Sequence, residues 1–398
     1  MVRKMALSGW RAAACVLAVW VVAASGFGCA TTTANSTVPV DRTRLSHEID
    51  WSVNPEGWVD RRHEYTPGGD AGAAEKLAVD EAGWTLGEAS FARYPFRGAW
   101  RSGEVEVDGG FSDLLPSWNV DAPDRTGLVM DVRVRLAGGA WSEWMEIGRW
   151  GDVPYAVGET EFEGGEVAID VLELDKLADA YEVRARLESR DLDGKASPRL
   201  SRVVVLTSTK GATEPVASGT GVRGQRTVID VPFRAQGVEM PAVSSRICSP
   251  TSTSMVMQWA GVDLPTDVNA EGIYDEPYNI FGNWGRAVAW ASQHGLRGEL
   301  RRFRDWGQVR ETLEAGQPII ASIRFASGTF PSNVMDATGG HLITLRGITE
   351  DGHIIVNDSA SRDRGEAIVY ARTELAQAWI RNGGVAYIIE RGGELAAK

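Results

Sequence analysis

Residues 246–259 read Arg246-Ile247-Cys248-Ser249-Pro250-Thr251-Ser252-Thr253-Ser254-Met255-Val256-Met257-Gln258-Trp259, and this stretch decides the fold of the second half of the chain. Ser249 is a good helix N-cap, and Pro250 suits a first helical turn. Apolar residues then repeat at helical spacing, at Met255, Val256 and Trp259. The sequence therefore predicts a helix that starts next to Cys248.

The thiol of Cys248 has no evident disulfide partner. The other two cysteines, Cys15 and Cys29, fall within and at the end of a predicted export signal. Exported proteins normally use cysteines in pairs, so a solitary one is either buried and inert or kept for its reactivity. Because a helix N-terminus favours the thiolate over the thiol, we interpret Cys248 as a nucleophile.

A thiolate that attacks an acyl carbon needs an imidazole to carry a proton and an acceptor to orient that imidazole. The second half of the chain contains His294, His341 and His353. His294 lies at a predicted helix end and His353 follows a turn, so both are expected at the surface. His341 instead opens an apolar strand after Gly339-Gly340, where glycines leave room for another group to approach the ring. We predict that His341 is the general base.

The predicted partner of His341 is Asp358, at the end of the next strand. Because a two-residue turn would place Asp358 opposite Leu345, too far away, we predict a hairpin loop of four residues, 349–352, which places Asp358 opposite Ile343, on the same face as His341. This diagonal relation spans about 7–8 Å between Cα atoms, close enough for an imidazole and a carboxylate to meet. Asn357 falls on the opposite face and would need a bulge to reach the ring.

A hydrogen-bond donor for the developing oxyanion completes such a site. The segment upstream of the nucleophile reads Val231-Pro232-Phe233-Arg234-Ala235-Gln236. Gln236 offers a neutral amide N–H that does not disturb a thiolate. We predict that it is the oxyanion residue, the alternative being an ordinary surface loop residue.

Four segments together resemble the papain-like, double-glycine-leader (bacteriocin-processing) cysteine peptidases, and specifically their exported, free-standing C39-like relatives in bacteria. The segments are 231–236, Cys248-Ser-Pro-Thr-Ser-Thr-Ser-Met255, Gly340-His341-Leu-Ile and Val356-Asn-Asp358. The sequence departs from the family pattern at Ser249, where Gly is common, and at Ser359, where Pro is common. The gap between Gln236 and Cys248 is also longer than usual.

The resemblance covers residues 228–391 and implies an α+β papain-like cysteine peptidase domain. It implies that Cys248 is the nucleophile, His341 the general base, Asp358 the orienting acid and Gln236 the oxyanion residue. The transporter-fused relatives cleave leader peptides during secretion, but this chain shows no membrane-spanning or nucleotide-binding portion. We therefore expect a different peptide or protein substrate. No cofactor is implied, because the His, Cys and carboxylate residues show no metal-ligand spacing.

The half before the peptidase domain is predicted to be all β. Apolar and polar residues alternate over 128–136 and 181–187, and residues 203–206 are apolar on both faces. Antiparallel sheets packed face to face, a β-sandwich-like domain, fit this pattern best. This half also resembles the Trp-rich β domain that precedes such peptidase domains, through segments 111–118 and 141–150.

Tryptophans crowd this half of the chain. They are Trp51, Trp58, Trp84, Trp100, Trp118, Trp141, Trp144 and Trp150. Core packing is the favoured interpretation, because each tryptophan buries a large area. The alternative is an aromatic platform that contacts sugar or cell-envelope polymer.

The N-terminus predicts export. Basic residues precede an apolar run at 12–24, which is too short for a membrane span, and small residues follow. Cys29 resembles a lipoprotein cleavage site, so the product is expected either in the cell envelope, held by a lipid on Cys29, or secreted. The predicted organisation is signal peptide 1–29, tether and N-terminal extension 30–76, β-sandwich-like domain 77–207, Gly/Ser/Thr-rich linker 208–227 and peptidase domain 228–391.

The charge balance excludes one class of partner. The chain has 41 basic and 54 acidic residues, for a net charge of −13, which leaves no broad cationic surface for nucleic acid. The leading hypothesis is hydrolysis of amide bonds in an extracytoplasmic peptide or protein. The alternatives are cell-wall peptide hydrolysis or acyl transfer by the same residues, and a non-catalytic protein that binds wall polymer or glycan.

Overall fold

The computed structural model describes residues 49–50, 57–70, 72–154, 160–194, 196–211, 220–221 and 226–391. The predicted export signal, Cys29, most of the predicted tether and most of the predicted linker lie outside these residues. Within the described residues, no helix is both long enough and apolar enough to cross a membrane.

The N-terminal half forms an antiparallel sheet of twelve strands. Apolar and polar residues alternate along its sequence, and because successive side chains of a strand point to opposite faces, this pattern favours strands. The strands are β2 (Val59–Tyr65), β3 (Ala73–Glu75), β4 (Leu77–Asp80), β5 (Gly83–Leu86), β6 (Phe96–Arg101), β7 (Val105–Asp121), β8 (Thr126–Leu136), β9 (Met145–Gly151), β10 (Glu161–Phe162), β11 (Gly165–Ala168), β12 (Val171–Ser189) and β13 (Arg199–Thr209). Two short strands, β1 (Ile49–Asp50) and β14 (Thr220–Gly221), pair separately. Strand β2 pairs along β13, so the sheet includes residues of the predicted N-terminal extension.

The strands form one continuous sheet and not the two separate sheets that the predicted sandwich requires. Strand β12 pairs with β11 and β7 through its first part and with β8 and β6 through its second part, with register shifts between. Strand β7 contains Gly109 and Gly110, whose φ angles are 77° and 73°. A side chain at Gly110 would meet the Ala178 carbonyl oxygen at 2.9 Å, so only glycine fits where these strands approach.

Buried tryptophan side chains form part of the core of this half, as the sequence predicts. Trp84, Trp100 and Trp118 are fully buried, and Trp150 is nearly so. Trp141 and Trp144 are half-buried instead and lie against arginine side chains, among them Arg133. Core packing is therefore confirmed for four of the tryptophans, while Trp51 lies outside the described residues.

The C-terminal half has helices around an antiparallel sheet of seven strands. The helices are α1 (Gln236–Glu239), α2 (Cys248–Trp259), α3 (Thr266–Ile273), α4 (Trp284–Gln293), α5 (Trp306–Glu314) and α6 (Arg372–Ala378), with short 3-10 turns at Pro241–Arg246 and Ile380–Asn382. A further 3-10 turn, Glu88–Ala92, lies in the N-terminal half. The strands are β15 (Thr227–Val228), β16 (Arg297–Arg302), β17 (Ile319–Phe325), β18 (Thr338–Ile348), β19 (Ile354–Asn357), β20 (Ile368–Tyr370) and β21 (Val385–Glu390). Their order is β16-β21-β17-β18-β19-β20, and β15 pairs with β18.

The two halves meet through buried polar contacts within one compact unit. The Asn119 side chain exchanges two hydrogen bonds with the Gly298 backbone, at 2.6 and 3.0 Å. Next to it, the buried Glu299 carboxylate accepts hydrogen bonds from Arg62 and Arg202 of the N-terminal sheet. A buried carboxylate needs such partners to remain charged, so these contacts fix β16 against the N-terminal half.

Candidate active site

Helix α2 presents the predicted nucleophile at its first residue. The helix begins at Cys248, and the residue before it, Ile247, provides no side-chain cap. The prediction that Ser249 caps the helix is wrong, because Ser249 lies within the first turn and its hydroxyl meets the Tyr387 hydroxyl at 3.0 Å. The helix is anchored to β18 by Ser252 Oγ, which donates to the Leu342 carbonyl at 2.9 Å.

Strand β18 places His341 beside Cys248. The imidazole is buried, and its interaction with the Cys248 thiol raises the pKa of His341 and lowers that of Cys248. His341 Nε2 lies 2.7 Å from Asp358 Oδ1, so Nδ1 is the ring nitrogen left for the sulfur. A Cβ added at Gly339 or Gly340 would meet no atom within 4 Å, so the prediction that these glycines keep the approach to the ring clear stays a prediction.

The hairpin brings Asp358 to His341 as predicted, but not through the predicted four-residue loop, because Ile348 pairs with Ile354 and not with His353. Thr344 pairs with Asn357, and the same register puts Asp358 opposite Ile343. Asp358 is fully buried and contacts the imidazole directly. Asn357 points elsewhere, as its position in the strand predicts: its amide donates to the carbonyls of Val231 and Pro232 at 3.0 and 3.3 Å.

Tyr370 is a member of the site that the sequence does not reveal. Its hydroxyl donates to Asp358 Oδ2 at 2.6 Å from β20, while the Ala360 backbone N–H donates to Oδ1 at 3.0 Å. Burial and the Asp358 charge raise the pKa of Tyr370 well above its ordinary value. Tyr370 therefore stays a donor and fixes the carboxylate in the orientation that faces His341.

The electrostatics favour a thiolate–imidazolium pair. Burial alone would raise the pKa of Cys248, but the hydrogen bond and charge of His341 outweigh it and lower the pKa below its ordinary value. Burial alone would lower the pKa of His341, but the charge and hydrogen bond of Asp358 raise it to about 10. The pKa of Asp358 is lowered despite burial, chiefly by His341 and Tyr370. The shifts of the three groups therefore all favour the charged forms: thiolate, imidazolium and carboxylate.

Gln236 is the first residue of α1, and its side chain contacts Ser359, the residue that follows Asp358. Its Oε1 accepts a hydrogen bond from the buried Ser359 hydroxyl at 2.7 Å, and its Nε2 donates to the Ser244 carbonyl at 2.7 Å. These bonds fix the orientation of the amide and leave one of its two N–H groups for another acceptor. Its role as oxyanion residue stays a prediction.

The remaining histidines lie outside this arrangement, as predicted. His294 Nδ1 lies 2.9 Å from the Trp290 carbonyl at the end of α4. His353 lies in the loop before β19, where burial and the Arg372 charge lower its pKa.

A groove of about 770 Å³ opens over Cys248 between the two halves of the molecule. Its C-terminal side includes Gly339, Gly340 and Leu342 of β18. Its other side is supplied by the N-terminal half, including Trp58 and Val171. The volume is in the range of protein clefts that bind small ligands. The sequence did not predict that the N-terminal half lines this groove.

Comparisons with known proteins identify both halves. Residues 228–387 match the model of the Peptidase C39-like family, and residues 57–208 match the model of the Peptidase C39 N-terminal domain. No curated protein sequence matches the chain.

Two solved structures are similar to part of the chain. One is a putative C39-like peptidase from Bacillus anthracis, with 16% identity and a TM-score of 0.33 over 42% of this chain and 98% of that one. The other is a double glycine motif protease from an AMS/PCAT transporter, in complex with its leader peptide. It has 17% identity and a TM-score of 0.29 over 42% of this chain and 99% of that one.

Proposed function

Because residues 228–387 belong to the C39-like peptidase family and make the chain a cysteine peptidase, we propose that it hydrolyses amide bonds of an extracytoplasmic peptide or protein with Cys248, His341 and Asp358. One observation supports the assignment of residues: the His341 imidazole contacts the buried Asp358 carboxylate at 2.7 Å, and the helix that begins with Cys248 is anchored to the strand of His341 through Ser252. The same contacts favour the charged pair that a thiolate nucleophile requires.

In the proposed reaction, the Cys248 thiolate attacks the carbonyl carbon of the scissile amide, and the C=O electron pair moves onto oxygen. Collapse of this tetrahedral species breaks the C–N bond, and the leaving amine takes the proton from His341 Nδ1. The product is a thioester on Cys248. A water molecule then gives a proton to His341 and attacks the thioester, which releases the carboxylic acid and restores the thiolate and imidazolium.

Gln236 is the proposed oxyanion donor. Its fixed amide, held by Ser359 and Ser244, supports this role because a donor that is already oriented requires no rearrangement when charge develops on the substrate oxygen.

A papain-like α+β arrangement is part of the proposal. It is supported by the order of elements, in which the helix that carries Cys248 precedes the antiparallel sheet that carries His341. Export is also proposed, either to the cell envelope through a lipid on Cys29 or as a secreted product, on the basis of the N-terminal sequence alone.

The test compares the purified wild-type protein with Cys248→Ala on casein, on a peptide library and on purified peptidoglycan, with products identified by mass spectrometry. The proposal predicts new amino and carboxyl termini from casein or the library with the wild type only. Release of wall peptides alone would make the substrate the cell wall, and equal results for both proteins on every substrate would refute the proposal.

A further inference from the structure

The groove over Cys248 differs in charge from the rest of the protein. Five cationic side chains line it, although the chain as a whole has a net charge of −13. They are Lys210, Arg246, Arg302, Arg324 and Arg381. Among the residues that the structure describes, two carboxylates line the same groove, Asp113 and Glu173, and Asp113 forms an ion pair with Arg302 at 2.8 Å. The described lining therefore carries five cations against two carboxylates, a surplus of three positive charges.

Arg324 and Arg381 are the cations most available to a ligand. Both are exposed, and among the described residues neither has a carboxylate partner. The Arg324 guanidinium donates to Asn382 Oδ1 at 3.1 Å, which leaves its other N–H groups unengaged within the described part of the chain. In contrast, Arg62 and Arg202, which lie at the contact between the two halves, both pair with carboxylates.

The positions of these two arginines are fixed by the backbone around them. The Asn382 amide donates to the carbonyls of Arg324, Gln377 and Ala378 at 2.9 to 3.1 Å. These bonds tie the end of β17, which carries Arg324, to the 3-10 turn Ile380–Asn382, which carries Arg381. The backbone segments that carry the two cations are therefore held together at one side of the groove, and little backbone ordering is needed when an anion binds.

A third cation comes from the other half of the molecule. Lys210 follows β13, and its ammonium lies over the Trp58 ring at 5.8 Å from the ring centroid. Both residues line the groove, so the N-terminal sheet contributes an aromatic surface and a positive charge opposite the peptidase half.

We propose that the groove selects acidic peptide segments, with carboxylates beside the scissile bond held by Arg324, Arg381 and Lys210, and with the N-terminal sheet forming one wall of the substrate site. This inference rests on the proposed peptidase function and names its substrate class. Fixed charges of one sign in a cleft raise the local concentration of oppositely charged ligands and favour their binding over that of neutral ones.

The experiment uses pairs of fluorogenic peptides that are identical except for two Glu residues in one and two Gln residues in the other, flanking a bond that the full-length protein cleaves. The Glu peptide is expected to have a kcat/KM about threefold to tenfold higher, mainly through KM, and the difference should shrink as salt rises. The double variant Arg324→Gln, Arg381→Gln should lose most of the preference, measured as the ratio of the kcat/KM values of the two peptides with the same variant. The matched control is Arg93→Gln, an exposed arginine outside the groove, which should have no effect.

Binding to Cys248→Ala, measured by fluorescence polarisation with the same peptides, separates this inference from the proposed function. The inference is supported if Cys248→Ala binds the Glu peptide more tightly than the Gln peptide and the triple variant Cys248→Ala, Arg324→Gln, Arg381→Gln does not. If the wild type cleaves both peptides equally well at low salt, the inference is wrong and the peptidase function stands. If the wild type cleaves no peptide or protein at all, both fail.

Discussion

Tyr370 donates its phenolic hydrogen to Asp358 Oδ2 at 2.6 Å, while the other oxygen of that carboxylate faces His341. The carboxylate is fully buried, so neither oxygen can replace a lost partner with bulk water. Orientation of the imidazole therefore depends on a third strand, β20, as well as on the hairpin that carries His341 and Asp358.

Tyr370→Phe is expected to lower kcat/KM by about 10- to 100-fold, the range for loss of a hydrogen bond to a buried charge. Without the donor the pKa of Asp358 rises, because that bond favours the carboxylate. The acid limb of the kcat/KM–pH profile should therefore move to higher pH. Tyr94→Phe, at an exposed tyrosine of the N-terminal half, is the matched control. An unchanged profile for Tyr370→Phe would remove Tyr370 from the positioning role.

Alkylation of Cys248 by iodoacetamide is expected to stay fast well below pH 8.5, the ordinary pKa of a free thiol. The lowered pKa of Cys248 keeps the thiolate as pH falls, and the pKa of His341, raised to about 10, keeps the imidazolium as pH rises. His341→Ala should shift the alkylation profile to higher pH. The measurement is the inactivation rate against pH for the two proteins, and coincident curves would show that His341 does not activate the thiol.

Gln236→Ala is expected to lower kcat by about 10²–10³-fold with a small change in KM, since an oxyanion donor acts in the transition state. Ser359→Ala should have a smaller effect of the same kind, because it frees the amide of Gln236 without removing it. Steady-state kinetics on one peptide substrate provide both values. If Gln236→Ala has the kcat of the wild type, Gln236 is not the oxyanion donor and its role is structural.

Asp170 is expected to contribute to the free energy of unfolding in a way that depends on pH. This buried carboxylate of the N-terminal half accepts a backbone hydrogen bond from Trp284 at the start of α4, and burial raises its pKa from 3.8 to about 7. The pKa of this carboxyl is higher in the folded state than in the unfolded state, so folding favours its protonated form. Its contribution to the free energy of unfolding is therefore greatest below pH 3.8 and is lost as pH rises to about 7.

Asp170→Asn cannot titrate and should remove this dependence. The free energy of unfolding of the wild type relative to Asp170→Asn is expected to fall by about 1 kcal/mol per pH unit between pH 4 and 7, and to level off above. Denaturant unfolding of both proteins across this range measures the difference. A difference that does not vary with pH would mean that the carboxylate is already ionised throughout, held by the helix N-terminus.

The meeting of Cys248, His341 and Asp358 could be predicted because it depends on short-range rules. A helix start and the alternation of a strand determine where these side chains point. The loop was harder to predict: it has five residues, 349–353, where four were expected. A bulge at Arg346, whose guanidinium donates to the Ile229 carbonyl at 2.9 Å, restores the register, so Asp358 still falls opposite Ile343.

The parts that the sequence did not predict depend on contacts between distant segments. The Ser249 hydroxyl forms a hydrogen bond with the hydroxyl of Tyr387, 138 residues away, and does not cap its own helix. Tyr370 reaches Asp358 from a third strand of the sheet. Similarly, a continuous sheet and a sandwich give the same alternation of apolar residues, and only the pairing of long strands such as β12 separates them.

The exchange of hydrogen bonds between Asn119 and Gly298 limits how this enzyme can be shortened. A fragment that starts near residue 228 keeps the nucleophile, imidazole and carboxylate, but it exposes Glu299 without Arg62 and Arg202 and loses the wall that contains Trp58. The smallest piece that retains the whole cleft therefore extends from before Trp58 to the end of β21. For expression and engineering, the upstream sheet is part of the enzyme and not a removable appendage.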